Sequence, residues 1–252
     1  MTGSPAARNT LRILRFLAAQ PDPVPAERIA SSLGLPRAST YRLLSAMTAE
    51  GFVVHLEEDR VFGLGVGAFE AGTGYVRQAP LRRLAHGPMT RLVDRVEESA
   101  HLAVLHGRDV LYLIEERAPG RPSLVTDVGV RLPAHLTASG RAMLAALPRV
   151  QVRALFPDRD AFATHRGTGP ATPAALRSLL AETRQRGYAV EDDEVTPGLA
   201  SVAVPVLDHN RHPVASVAVT FAHESVLARR RAELSTEVAE TAHDISRRLT
   251  GR

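Results

Sequence analysis

The chain contains no cysteine among its 252 residues. That excludes a disulfide framework, a thiol nucleophile and any zinc site built on thiolates. It also fits a cytoplasmic protein. No stretch approaches the ~18 uninterrupted apolar residues of a membrane span, so no membrane partner is expected. The opening MTGSPAARNTLRILRFLAAQ sets Arg inside its apolar pattern and offers no hydrophobic segment with a cleavage site. A signal peptide is therefore not expected. Lysine is absent too, and all 31 basic residues are Arg. A GC-rich coding sequence produces that bias without any functional cause. Internal repeats and low-complexity segments are also missing.

The apolar and charged fractions, 44% and 23%, suit a soluble globular chain with one large or two medium domains. Charge is unevenly placed. Residues 1–48 carry six Arg against Asp22 and Glu27, whereas residues 49–252 balance 25 Arg with 25 acids. A local basic excess suits a polyanion such as DNA, although a solvated helix surface produces the same excess.

The N-terminal fifth has a definite layout. Leu11, Ile13, Leu14, Leu17 and Ala18 form a helical stripe that Pro21-Asp22-Pro23 ends. A second helix opens at Pro25, buries Ile29, Ala30 and Leu33, and stops at Gly34. Pro36 starts a third, which buries Leu43, Leu44 and Met47 and stops at Gly51. Two β-type runs, 52–56 and 61–64, flank the polar tip Glu57-Glu58-Asp59-Arg60. Helix, tight turn, helix and hairpin make a winged helix-turn-helix over 1–64. Residues 65–79 are expected to form a linker, with a helix weakened by interior glycine. Beyond Pro80, helices are expected over 80–98, 137–147, 173–186 and 224–249. Strands are expected over 101–106, 110–115, 123–128, 200–207 and 214–221. The mixture predicts an α+β domain over 80–252 around an antiparallel sheet.

The third helix leaves Arg37, Ala38, Ser39, Tyr41, Arg42 and Ser45 outward, with Thr40 borderline. Recognition helices place such residues in the major groove, where Arg reads guanine or grips phosphate and hydroxyls fix register. Arg37, Ser39, Thr40, Tyr41 and Arg42 are thus the candidate DNA contacts. The acidic wing tip would repel phosphate and is assigned no DNA role.

Taken in order, the helix-turn-helix, the wing, the linker, LPAHLTASGRAMLA (132–145) and RGYAVEDDEVTPGLASVAVPVLD (186–208) resemble the IclR family of bacterial transcriptional regulators. The resemblance implies an N-terminal domain that binds operator DNA as a homodimer or homotetramer. It further implies a GAF-like C-terminal domain that binds a small, often acidic, metabolite. Carried over by position, the effector contacts fall on Ala138, Ser139, Glu191, Leu199, Ser201 and Thr220, with Leu124 and Leu132 as apolar walls. Ala218 stands where the family has Ser, and Arg141 where Lys is usual. From the residues alone, Thr137 or Ser139 can cap a helix whose first N–H groups attract anions. The run Glu191-Asp192-Asp193-Glu194 is either a solvated acidic turn or the loop that meets the effector.

Rival chemistries find less support. Gly63-Leu64-Gly65-Val66-Gly67 lacks the third glycine of a dinucleotide loop. Ser139 and His135 lack a nucleophile elbow. His135 with the 191–194 acids has no metal-binding spacing, which leaves a metal-responsive regulator as an alternative without a motif. No catalytic residue, metal or cofactor is expected. A further alternative is a C-terminal domain that serves only oligomerisation.

Overall fold

The computed structural model describes residues 4–78, 80–120, 126–162, 169–223 and 228–251. The chain divides into two compact units, Met1–Ala79 and Pro80–Arg252.

In the first unit, the Ser4 hydroxyl accepts the Ala7 N–H and opens α1 (Pro5–Ala18). β1 (Val24–Pro25) and α2 (Ala26–Leu33) follow. Gly34 ends α2 with a φ of 64°, a conformation that a side chain resists. That turn lets the Leu35 N–H bond back to Ala30 C=O at 2.9 Å. α3 (Arg37–Ala49) starts directly after Pro36. β2 (Val53–Leu56) and β3 (Val61–Leu64) form the wing, and β1 pairs with β3 to give the order β1-β3-β2. Ile13, Leu17, Ile29, Leu44, Met47, Val53 and Phe62 meet in one core. Burying each large side chain stabilises by about 1.5–3 kcal/mol.

α4 (Val66–Gln78) is continuous despite its glycines. Packing explains two glycines at its start. A Cβ on Gly65 or Gly67 would run into the Gly51 carbonyl, and the Gly67 N–H bonds that same oxygen at 2.9 Å. The glycine run at 63–67 is thus a close approach of backbone to backbone.

The second unit is a six-stranded antiparallel sheet. Its strands are β4 (Ser99–His106), β5 (Asp109–Glu116), β6 (Arg131–Pro133), β7 (Ala189–Asp192), β8 (Leu199–Leu207) and β9 (Pro213–Ala222). Their order is β6-β5-β4-β9-β8-β7. Of the strand expected at 123–128, residues 123–125 lie outside the described set and 126–128 are not strand. A turn through Gly129 intervenes, and its N–H bonds Tyr112 C=O at 2.9 Å, so pairing resumes only at β6.

Helices cover both faces of the sheet. α5 (Pro80–Val96) and α9 (Ala228–Thr250) share a core with Leu102, Val217, Val219 and Phe221. On the other face lie α6 (Ala138–Ala146), α7 (Arg149–Leu155) and α8 (Pro173–Arg186), around Met143, Leu144, Phe156 and Leu176. Small residues set the closest contact. Ala138 and Ala142 of α6 meet Ala189, Ala203 and Ala218 of the sheet. Strand alternation then puts Thr220 on the α6 side with Ala218.

Gly140 lies in the tightest place. A Cβ there would collide with the carbonyl and Cα of Ala134, both backbone atoms. Gly140→Ala is expected to cost about 3 kcal/mol or more. Urea unfolding of the full chain would measure it, and a cost below about 1 kcal/mol would refute the close approach.

Candidate functional site

α3 presents Arg37, Tyr41 and Arg42 to solvent, with Ser39 half-buried. Among the described residues neither Arg37 nor Arg42 forms an ion pair. The Tyr41 hydroxyl donates to Glu27 of α2 at 2.9 Å, and its ring sits edge-on to Phe62 at 6.5 Å. Tyr41 therefore braces α3 against α2 and the wing. Thr40 is 0% exposed and its hydroxyl donates to Pro36 C=O at 3.1 Å. It shares the buried stripe with Leu44 and Met47, four and seven residues on, so its side chain leaves the set of DNA contacts.

In the second unit, a cavity of about 30 Å³ lies between the start of α6 and strands β4, β5, β7, β8 and β9. That exceeds the ~10–15 Å³ one water needs. Its walls include Ala138, Ser139, Glu191, Leu199, Ser201, Ala218 and Thr220, seven of the nine expected contacts. Leu132 does not line it: this residue pairs with Val110 across β6 and β5 and packs on the Met143 core. Leu124 lies outside the described residues.

The polar groups in the cavity are deliberately held. Ser201 and Thr220 face each other across β8 and β9, their hydroxyls 2.9 Å apart. The Thr137 hydroxyl accepts the Gly140 N–H at 3.0 Å and caps α6. The first-turn N–H groups of Ala138 and Ser139 have no carbonyl partner within the helix. Glu191 is 4% exposed, and its Oε1 accepts the N–H groups of Glu194 at 2.8 Å and Val195 at 3.0 Å. Burial raises its pKa, and those two bonds only partly oppose the rise.

His101, Tyr112, Thr126, Val195 and Thr196 complete the wall and were not among the expected contacts. His101 is 1% exposed, its Nδ1 lies 3.3 Å from the Thr126 hydroxyl, and among the described residues its Nε2 has no hydrogen-bond partner. Burial, helped by the Arg117 charge, lowers its pKa to about 4, so the ring is neutral at pH 7. Burial pushes the Tyr112 pKa up, against the opposing effect of hydrogen bonds with Ser139 and Thr137. A register shift between Leu102 and Ala103 makes Tyr112 the partner of Ala103 where Leu113 would otherwise fall. Such a bulge re-aims a side chain, and nothing local in the sequence announces it.

The four consecutive acids each have a specific partner, although Asp193 is exposed. Asp192 takes a bidentate pair from Arg231 of α9, at 2.7 and 3.0 Å. Asp193 accepts the Gly198 N–H at 2.7 Å and pairs with His223 at 3.0 Å. Glu194 pairs with Arg141, which is 2% exposed, at 2.7 and 2.8 Å. Arg141 also donates to His135 C=O and Val190 C=O, each at 2.8 Å. The His135 ring packs edge-on against Phe156 and Phe162, away from metal or hydrolytic chemistry. Among the described residues no group of three or more His, Asp or Glu could hold a metal ion.

Two outcomes follow from this geometry. Arg141→Ala takes from the half-buried Glu194 its guanidinium and from two carbonyls their donor, and is expected to cost about 2–3 kcal/mol, against less for the double replacement Arg141→Met with Glu194→Gln. Equal losses in the two proteins on urea unfolding would contradict the reading. His101 binds protons more weakly folded than unfolded, so the unfolded chain holds the extra proton between its ordinary value of 6.5 and about 4. Stability should therefore fall as pH drops through that window, by up to about 3 kcal/mol from this group. His101→Asn should flatten that slope; an unchanged slope would place the titration elsewhere.

Comparison with known proteins agrees with this architecture. Residues 73–247 match the description "Bacterial transcriptional regulator IclR C-terminal", and residues 6–57 match "IclR helix-turn-helix domain". The chain is 34% identical over 238 residues to the Glycerol operon regulatory protein of Streptomyces coelicolor, covering 94% of this chain and 92% of that one. It is 27% identical to the Transcriptional repressor IclR of Escherichia coli, covering 94% and 86%. In fold it resembles an IclR homolog from Microbacterium hydrocarbonoxydans complexed with 4-hydroxybenzoate, with a TM-score of 0.76 at 23% identity and 97% and 98% coverage. Such proteins are DNA-binding regulators and not enzymes. The chain belongs to the IclR family of bacterial transcriptional regulators.

Proposed function

We propose that α3 reads operator DNA through Arg37 and Arg42, with Ser39 and Tyr41 fixing its register, while the cavity behind α6 holds a small hydroxy acid. The observation that carries this reading is the set of polar groups buried together in that cavity: Glu191, the Ser201–Thr220 pair and the unpartnered Nε2 of His101. Buried polar groups need partners, and a ligand can supply them. Among the described residues no Arg side chain lines the cavity. A carboxylate would therefore rest on neutral donors, the first N–H groups of α6 and the two hydroxyls. Glu191 would accept a ligand hydroxyl, because it repels the ligand's own charge. A neutral polyol is the second reading. The relative named for a glycerol operon favours it.

The cavity is small beside the ~300–1,000 Å³ of ordinary ligand pockets. Binding must then enlarge it by displacing the turn at 195–198, which no strand or helix includes and which is held by the Val195 N–H on Glu191, the Gly198 N–H on Asp193 and the His223 N–H on Gly198 C=O. A ligand changes an equilibrium only if it prefers one state, and this enlargement supplies the preference. In our reading α4 carries the change to paired recognition helices in a homodimer or homotetramer acting in the cytoplasm.

The test uses the full chain and duplex DNA from its own promoter. Arg42→Ala should weaken duplex binding and reduce the slope of affinity against salt by about one contact, leaving ligand binding intact. Thr220→Val should keep duplex affinity yet blunt the thermal shift given by hydroxy acids or polyols. No shift with either class would favour a C-terminal domain that only oligomerises. Wild-type behaviour in both variants would overturn the site map.

A further inference from the structure

A second concavity lies away from the cavity just described and shares no residue with it. It is a groove of about 490 Å³ between α7 and α8. Its floor is apolar: Val152, Phe156, Leu176 and Leu180 belong to the core on that side of the sheet. Its rim is cationic. Arg149 and Arg153 stand one turn apart on α7, and Arg177 and Arg184 two turns apart on α8. Among the described residues no Asp or Glu lines it. Elsewhere in this unit nine arginines are ion-paired with acids. Among the described residues, the four around the groove are in no ion pair.

That concentration is unfavourable as it stands. Desolvation and the charge of Arg149 both press Arg184 toward its neutral form. Arg184 is nonetheless held in place, its Nε donating to Ala145 C=O at 2.7 Å. Other described arginines also lack an acid partner, but these four line one groove. Guanidinium groups bind phosphate oxygens in bidentate fashion, and several together suit a multiply charged anion. The apolar floor suits a body that prefers to leave water, and the volume is that of a small-molecule pocket.

We propose that the α7–α8 groove binds a phosphate ester of two or more charges that carries an aromatic or aliphatic body, as a second ligand site independent of the cavity. The charged head would lie among Arg149, Arg153, Arg177 and Arg184, and the body on Phe156 and Leu180.

Isothermal titration calorimetry on the full chain tests this with three probes: ATP, geranyl diphosphate and inorganic pyrophosphate. At least one of the first two should bind about tenfold tighter than pyrophosphate or better. Preference for ATP identifies a nucleotide source, and preference for geranyl diphosphate an aliphatic one. The double variant Arg149→Gln/Arg177→Gln should weaken that binding by about tenfold or more while its melting temperature holds. If the double variant unfolds, the single variant Arg153→Gln carries the comparison and should weaken binding by about threefold or more. The proposal is overturned if neither ester binds, if pyrophosphate binds as tightly as both, or if the variants bind like wild type. A drop in duplex affinity without ester binding would make the groove a DNA-backbone contact, which also overturns it.

Discussion

The effector-binding unit depends on one buried ion pair, Arg141 with Glu194. Arg141 sits in the first half of α6 and Glu194 in the turn after β7. Their union joins the α6 helix to the sheet edge opposite β6. A bare pair at that depth would gain little, because desolvating two charges offsets their attraction. Here the remaining donors of the guanidinium are used on His135 C=O and Val190 C=O. One side chain of α6 thereby ties down the turn at His135, β7 at Val190 and the turn at Glu194.

The placement of Glu191 is a consequence. Once Glu194 is held by Arg141 and Asp192 by Arg231, the backbone between them has little freedom. Asp193 takes up a positive φ of 61°, which a non-glycine residue adopts only when its surroundings insist. The chain then turns its Glu194 and Val195 N–H groups onto the Glu191 carboxylate. A carboxylate raised in pKa by burial remains in the cavity because two amides face it. The acids divide the work by charge partner: three fix the turn and one is left for the ligand side.

Much of this was legible in the sequence where punctuation is local. Gly34, Pro36 and Gly51 mark the helix-turn-helix, and the hairpin follows at the expected residues. Thr40 was legible too, since it shares the 3.6-residue stripe of Leu44 and Met47, but its hydroxyl suggested a DNA contact. The cavity was legible only through resemblance to a family. Alternation along β9 groups Ala218 with Thr220, yet it cannot place His101 beside them. That needs the register of β4 against β9, where His101 pairs with Ala218. Tyr112 needs in addition the bulge opposite Leu102 and Ala103. Leu132 shows the same limit from the other side, because its face follows from pairing with Val110 across β5 and β6.

The absence of lysine gains a structural meaning at Arg141. Lysine offers three donors from one point on a flexible stem, whereas arginine offers five in a rigid plane. The acceptors around residue 141 are spread: two carbonyls from different segments and both oxygens of one carboxylate, all within 2.8 Å of guanidinium nitrogens. One ammonium could reach some of them and would leave others buried without a partner, at about 1–3 kcal/mol each. Compositional bias toward arginine supplies the residue, and the geometry of this junction uses its several donors. The same bias has an opposite effect between α7 and α8, where four arginines line one groove and no acid among the described residues lines it with them. In one chain, then, arginine satisfied by protein acceptors fixes the turn after β7, and arginine without an acid beside it gives the α7–α8 groove its positive charge.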